Sequence, residues 1–121
     1  MNEAARQLAL VKTAICSGLS NCIEWKNRDL LERVRSNPLL QGLTSEGIVA
    51  LLVSWIRDFN GTILQKAETR ENWRYEYDFT FEVSIPVAGF ERELFVELVL
   101  HDDDDEVPEV TIVSCHLTSF P

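Results

Sequence analysis

Near Gly61 the apolar residues of this chain change their spacing, and that change constrains the fold more than any other feature. Before it, Ile48, Leu51, Leu52, Trp55, Ile56 and Phe59 recur at helical intervals as one broad stripe. Thr44 is placed to cap that helix, Glu46 complements the positive end of its dipole, and Leu43 can staple against Ile48. Asn60-Gly61 supplies a left-handed stop. After it the pattern alternates. Residues 62–69 read as a strand and residues 74–85 as a longer one, with Tyr75, Tyr77, Phe79, Phe81, Val83 and Ile85 on one face. Arg74, Glu76, Asp78, Thr80, Glu82 and Ser84 take the other. The aromatic face must be covered, and the stripe of residues 48–59 is the natural cover. Each large side chain fully buried in such a contact contributes roughly 1.5–3 kcal/mol, before conformational entropy is subtracted.

The remaining elements follow from the same patterns. Residues 2–19 read as a first helix, with Leu8, Val11, Ala14, Ile15 and Leu19 at helical spacing and Gly18 loosening its end. Residues 22–35 read as a second helix through Ile23, Leu30, Leu31 and Val34, stopped by Asn37-Pro38. Residues 86–89 turn the chain. Residues 93–101 are apolar on both faces, as suits an interior strand; residues 102–108 form a polar loop, and residues 109–118 a β-branched closing strand. The expected architecture is a single α+β domain over residues 1–121. N-terminal helices (1–61) pack on one face of a four-stranded antiparallel β-meander (62–121). A length of 121 residues suits one core.

Charge narrows the function classes. Residues 1–61 hold seven Lys/Arg and six Asp/Glu, a net of +1, whereas residues 62–121 hold four against fourteen, a net of −10, so the whole of the chain's −9 arises in the second half. A field of that sign repels phosphates and attracts basic surfaces, which disfavours extensive RNA binding there. No apolar run approaches the roughly 20 residues of a membrane-spanning helix. The first residues lack the basic start and apolar core of a secretory signal. Cys16, Cys22 and Cys115 are an odd count with no Cys-x-x-Cys pair, so reduced thiols in a cytoplasm are the simplest expectation.

Four features bear on chemistry. The acidic loop Asp102, Asp103, Asp104, Asp105 and Glu106 lacks the sixth-position glycine and distal glutamate of an EF-hand, so it reads as a solvated turn or a contact for a basic partner. No metal or cofactor is implied. His116 has a side chain that titrates near neutrality, but alternation puts it on the opposite face from Cys115, against a Cys/His nucleophile pair; His101 reads as a rim residue. The stretch from Lys66 to Glu76, with Glu68, Arg70 and Arg74, gathers the groups that a metal-free ribonuclease uses: cations for the phosphorane and a carboxylate for proton transfer. The same stretch also reads as a salt-bridged hairpin turn. Glu76, Asp78 and Glu82 line the polar face of the long strand and suit a basic protein.

The segments Gly42-Leu43-Thr44-Ser45-Glu46-Gly47-Ile48 and Trp73-Arg74-Tyr75-Glu76-Tyr77, continuing into Phe95-Val96-Glu97-Leu98 and Val110-Thr111-Ile112-Val113-Ser114-Cys115-His116, carry a likeness in element order and apolar pattern. Over about the last two thirds of its length the chain resembles the MqsR-like branch of the RelE-like mRNA interferase toxins. The resemblance implies a compact α+β fold, metal-free RNA cleavage and neutralisation by an antitoxin. The positions that match its basic and aromatic roles are Lys66, Arg70, Arg74, Tyr77 and His116. The chain departs from such toxins in charge, since they are usually basic. Two readings result. In the first the protein is a metal-independent endoribonuclease or an inactive relative, with Lys66, Arg70 and Arg74 on the phosphate and Glu68 or His116 moving protons. In the second it is an acidic interaction module, immunity- or antitoxin-like, that binds a basic partner through Glu76, Asp78, Glu82, Asp102, Asp103, Asp104 and Asp105.

Overall fold

The computed structural model describes residues 2–19, 22–40, 42–71, 73 and 76–118. Helix α1 (Glu3–Ser17) is capped by the Asn2 side chain, which accepts from Ala5 N, and ends on Gly18 at φ 66°. Strand β1 (Ile23–Trp25) precedes helix α2 (Arg28–Ser36), and a 3-10 turn at Pro38–Leu40 leads to helix α3 (Ser45–Arg57). Strands β2 (Leu64–Ala67), β3 (Phe79–Ile85), β4 (Leu94–Asp102) and β5 (Glu109–Leu117) complete the chain. The sheet order is β1-β5-β4-β3-β2.

The α+β architecture stands, with one correction to the sheet. It is five-stranded and mixed: β2 to β5 run antiparallel as a meander, and β1 adds to the edge of β5 in parallel. The extra strand comes from residues expected to be helical. Asn27 is the reason. Its side chain accepts from Leu30 N at 2.9 Å and starts α2 at Arg28, which leaves Ile23 and Trp25 free to pair with β5. Val110 N donates to Cys22 O, and Lys26 N to Ile112 O, satisfying the backbone of that edge.

The predicted start of α3 is present, with Thr44 Oγ1 accepting from Gly47 N at 2.9 Å. Ile48, Leu52, Val53 and Ile56 are buried, whereas Phe59 lies past the last helical residue and is 69% exposed. Asn60 takes the left-handed conformation at φ 52°. Phe81, Val83 and Ile85 from β3 meet Leu94, Val96 and Leu98 from β4 and Val110 and Ile112 from β5 on the face covered by the helices. The cover is wider than the α3 stripe: α1 crosses β4 and β5, and α2 packs on β5.

Both predicted early strands are shorter than expected. β2 occupies only Leu64–Ala67, and β3 begins at Phe79 rather than at residue 74. Tyr77 therefore lies in a loop and not on the aromatic face, while Arg74 and Tyr75 lie outside the described residues. The loop 68–78 is closed at its base by Glu68 N donating to Asp78 O at 3.0 Å. Inside it, Trp73 O accepts from both Glu76 N and Tyr77 N, a turn that competes with extension of the strand. Among the described residues no helix is long and apolar enough to cross a membrane.

Candidate functional site

The sheet face turned away from the helices is where the polar side chains of β3, β4 and β5 gather, and loop 68–78 folds across it. β4 lies between two neighbours, and on this face it presents Phe95, Glu97, Val99 and His101. Val99 is 1% exposed and Glu97 is buried, so a carboxylate sits where an apolar residue is expected. It is there because Arg70 reaches it. The guanidinium of Arg70 donates from Nε to Glu68 Oε1 and from Nη2 to Glu68 Oε2, each at 2.8 Å, and Nη2 also donates to Glu97 Oε2. Thr80 Oγ1 donates to the same Glu97 oxygen at 2.6 Å. The Glu68 side chain is 1% exposed. Hydrogen bonds from the Arg70 side chain hold its carboxyl below the ordinary carboxylate range despite burial. Arg70 is held above its usual value, first by Glu68 and then by Glu97.

Register explains a second pair. Glu82 and Glu97 stand directly opposite on β3 and β4, a like-charge juxtaposition that is destabilising alone. Arg70 answers Glu97, and Lys66 answers Glu82 with Nζ–Oε1 at 3.0 Å. Lys66, Glu68 and Arg70 are thus each paired with a carboxylate or a guanidinium. His116 lies on β5 opposite Phe95, stacked on its ring with centroids 4.9 Å apart and with Nδ1 2.8 Å from Leu117 O. It is exposed, and Cys115 faces the helices as alternation predicts, its thiol pushed up to about 12 by burial. Glu68 and Arg70 therefore meet in one network, Lys66 joins a neighbouring pair, His116 is on the rim at Phe95, and Arg74 lies outside the described residues.

At the other end of this face the acidic side chains converge. Asp78 and Glu76 close loop 68–78, Asp102 ends β4, and Asp103 to Asp105 follow it. A cavity of about 230 Å³ there is lined by Gln7, Glu76, Tyr77, Asp78, His101 and Asp103, among others. Gln7 Nε2 donates to Asp78 Oδ2, and Arg6 is gripped by the Asp103 carboxylate at 3.2 Å and carbonyl at 3.0 Å and by Asp105 at 3.4 Å. Asp104 turns inward on the loop, accepting from Val107 N and Glu106 N, which holds its carboxyl below its usual value. Of the acids expected to meet a partner, Glu76, Asp78, Asp102, Asp103, Asp104 and Asp105 share this end, whereas Glu82 sits apart with Lys66. Among the described residues no three His, Cys, Asp or Glu side chains gather so as to hold a metal ion.

A second cavity, of about 280 Å³, adjoins the first through Glu76, Tyr77 and His101, and is also lined by Trp73, by Glu24, Trp25 and Lys26 at β1, and by Thr111 and Val113 of β5. Trp73 meets Tyr77 edge-on at 6.2 Å, and two cations lie over its ring: Arg70 Cζ at 4.3 Å and Lys26 Nζ at 4.7 Å from the centroid. Burial, followed by the charge of Glu76, raises the Tyr77 phenol above its ordinary value. Sequence reasoning missed Trp25, Lys26, Thr80 and Glu97. Glu97 carried a signal, as the one charged residue within the otherwise apolar run Leu94 to Leu100. Trp25 and Lys26 carried none while residues 22–35 read as helix.

Fold and site together define an α+β protein whose strapped sheet face ends in a carboxylate-rich, aromatic-walled cleft. Family models, curated proteins and solved structures were all compared with the chain, and none matches it.

Proposed function

We propose that the protein is an acidic interaction module that docks a basic segment of a partner protein at the cleft formed by loop 68–78 and loop 103–108. One observation carries this reading: Glu76, Asp78 and Asp103 line one cavity with Tyr77 and His101, and Asp102, Asp104 and Asp105 lie beside it. Separated along the sequence, these acids are brought to one end by the register of β3 and β4. Complementary charge of this kind speeds association and selects the partner by sign. The endoribonuclease reading has less support in the geometry. Arg70 is committed through Nε and Nη2 to two carboxylates, Lys66 faces Glu82, and Glu68 is closed off from solvent.

The test is the fluorescence anisotropy of a labelled arginine- and lysine-rich peptide titrated with the protein at about 50 mM and about 300 mM salt, a range over which exposed charge pairs become screened. Binding at low salt that weakens at least tenfold at the higher concentration, and that is lost in a Glu76→Gln, Asp78→Asn, Asp102→Asn variant, is the expected outcome. Equal affinity of that variant and the parent would refute the docking surface.

A further inference from the structure

The cavity between β1 and loop 68–78 combines aromatic rings with carboxylates, and the protein's own cations already rest on one of those rings. Trp73 and Tyr77 supply the aromatic groups, and Glu24 and Glu76 the acceptors, while the Trp25 side chain packs on the core side of β1. Arg70 and Lys26 both lie over Trp73, but they are held differently. Arg70 is fixed from behind by Glu68 and Glu97 and belongs to the strap. Lys26 follows β1, is exposed, and among the described residues has no carboxylate within ion-pair distance of its Nζ. It is a cation on a flexible tether, resting on an aromatic ring at the mouth of a site with two carboxylates.

We propose that this cavity receives an arginine side chain of the basic partner, and that Lys26 is a tethered stand-in which the incoming arginine displaces. The inference rests on the docking role of the acidic end and adds which side chain is taken and what guards the place. A guanidinium suits it better than an ammonium. Its plane stacks on an indole while its edge presents paired donors to a carboxylate, and it is more weakly hydrated than the lysine it displaces. Glu24 and Glu76 repel a phosphate at the same spot, which sets a basic peptide above a nucleic acid as the occupant.

The displacement makes an unusual expectation: removing a protein side chain strengthens binding. The labelled peptide, in an arginine version and a lysine version, is titrated at low salt into the parent, Lys26→Met, Lys12→Met and Trp73→Ala. Lys12 is an exposed residue of α1, so its variant removes the same charge elsewhere. Lys26→Met is expected to bind the arginine peptide about fivefold tighter than the parent. Lys12→Met should gain less than about twofold, because a remote exposed charge is screened. Trp73→Ala should lose about tenfold, a typical size for a partly desolvated cation–aromatic contact. The lysine peptide should bind more weakly throughout. If the parent binds but Lys26→Met gains no more than Lys12→Met, the stand-in role is wrong while the docking surface stands. If neither parent nor variants bind either peptide, both fall. Tighter binding of a single-stranded oligonucleotide than of the peptide would also overturn the proposal, because a polyanion would then be the occupant.

Discussion

Replacing Arg70 by alanine tests the strap directly. The substitution leaves Glu68, whose side chain is 1% exposed, and Glu97, whose side chain is 11% exposed, without their shared cation. Removing one partner of a fully buried ion pair costs about 3–5 kcal/mol, and of an exposed pair at most about 1. Arg70 itself is 44% exposed, so water screens part of the interaction and the expected loss falls between, at about 2–3 kcal/mol near neutral pH. Acid should reverse it. In the parent, Glu68 lies below the ordinary 4.5, so its contribution is present above that value and is lost as pH falls through the lower folded value. In the variant, burial without the guanidinium raises Glu68 instead. The folded state then holds the proton more tightly than the unfolded one, and the deficit shrinks as pH falls. Urea unfolding followed by tryptophan fluorescence and far-ultraviolet circular dichroism, at about pH 7 and about pH 4.5, should show the deficit falling by at least about 1 kcal/mol, since a tenfold difference in proton affinity between the folded and unfolded states is worth about 1.4 kcal/mol. Glu97→Gln added to Arg70→Ala should recover part of the loss at neutral pH, because it removes one orphaned charge while Thr80 keeps an acceptor. A loss under about 0.5 kcal/mol that does not change with pH would refute the reasoning, as that is the range of an ordinary surface substitution.

Two further outcomes follow from packing. A Cβ at Gly61 would overlap the indole of Trp55, so Gly61→Ala should destabilise by about 1–3 kcal/mol in a thermal melt, outweighing the few tenths gained from a stiffer unfolded chain; an unchanged or raised midpoint would contradict it. Cys115, buried on the helix side of β5 with its thiol pushed up to about 12, should resist a maleimide at about pH 8 until denaturant is added, whereas half-buried Cys16 should label in the native protein. Mass spectrometry of the labelled peptides distinguishes the two, and native labelling of Cys115 would disprove its burial.

The change of period at Gly61 was legible because each half obeys one rule over many residues: Ile48, Leu52 and Ile56 on a helix, then Phe81, Val83 and Ile85 on a strand. The errors fall where local pattern and tertiary pairing compete. Ile23 lies seven and eleven residues before Leu30 and Val34, so it fits their helix face, yet the Asn27 cap and the free edge of β5 draw it into a strand. Residues 74–78 alternate as well as residues 79–85 do, but the turn that Trp73 O makes with Glu76 N and Tyr77 N and the reach of Arg70 to Glu97 hold residues 76–78 off the ladder. Alternation describes which face a residue prefers. It does not say how far a strand extends before a loop is worth more. The site was half legible for the same reason. Glu68 and Arg70 stand two residues apart and were read together, and Asp102 to Asp105 are contiguous. Glu97 and Lys26 join through contacts 27 and 47 residues distant from Arg70 and Trp73, which only the register supplies.

The distribution of charge ties the strap to the cleft. The second half of the chain has four cations for fourteen acids, and the described ones are used within the fold. Lys66 neutralises Glu82, Arg70 neutralises Glu68 and Glu97, and Arg92 Nη1 donates to Thr118 O at 3.2 Å. Among the described residues, these pairs therefore use positive charge of the second half that would otherwise balance Glu76, Asp78 and Asp102 to Asp105. Arg6, reaching in from α1, is shared among Asp103 and Asp105, and among the described residues no cation lies within ion-pair distance of Glu76, Asp78, Asp102 or Asp104. Burying Glu68 and Glu97 under the strap and leaving an excess of negative charge on the rim beside it are two consequences of one allocation. A chain selected only for stability gains little from this arrangement, because the buried pair costs desolvation and the rim costs repulsion. On the proposed docking role it would become favourable when a basic partner supplies the missing cations, with the strap holding Trp73 and Tyr77 beside the place where those cations would arrive.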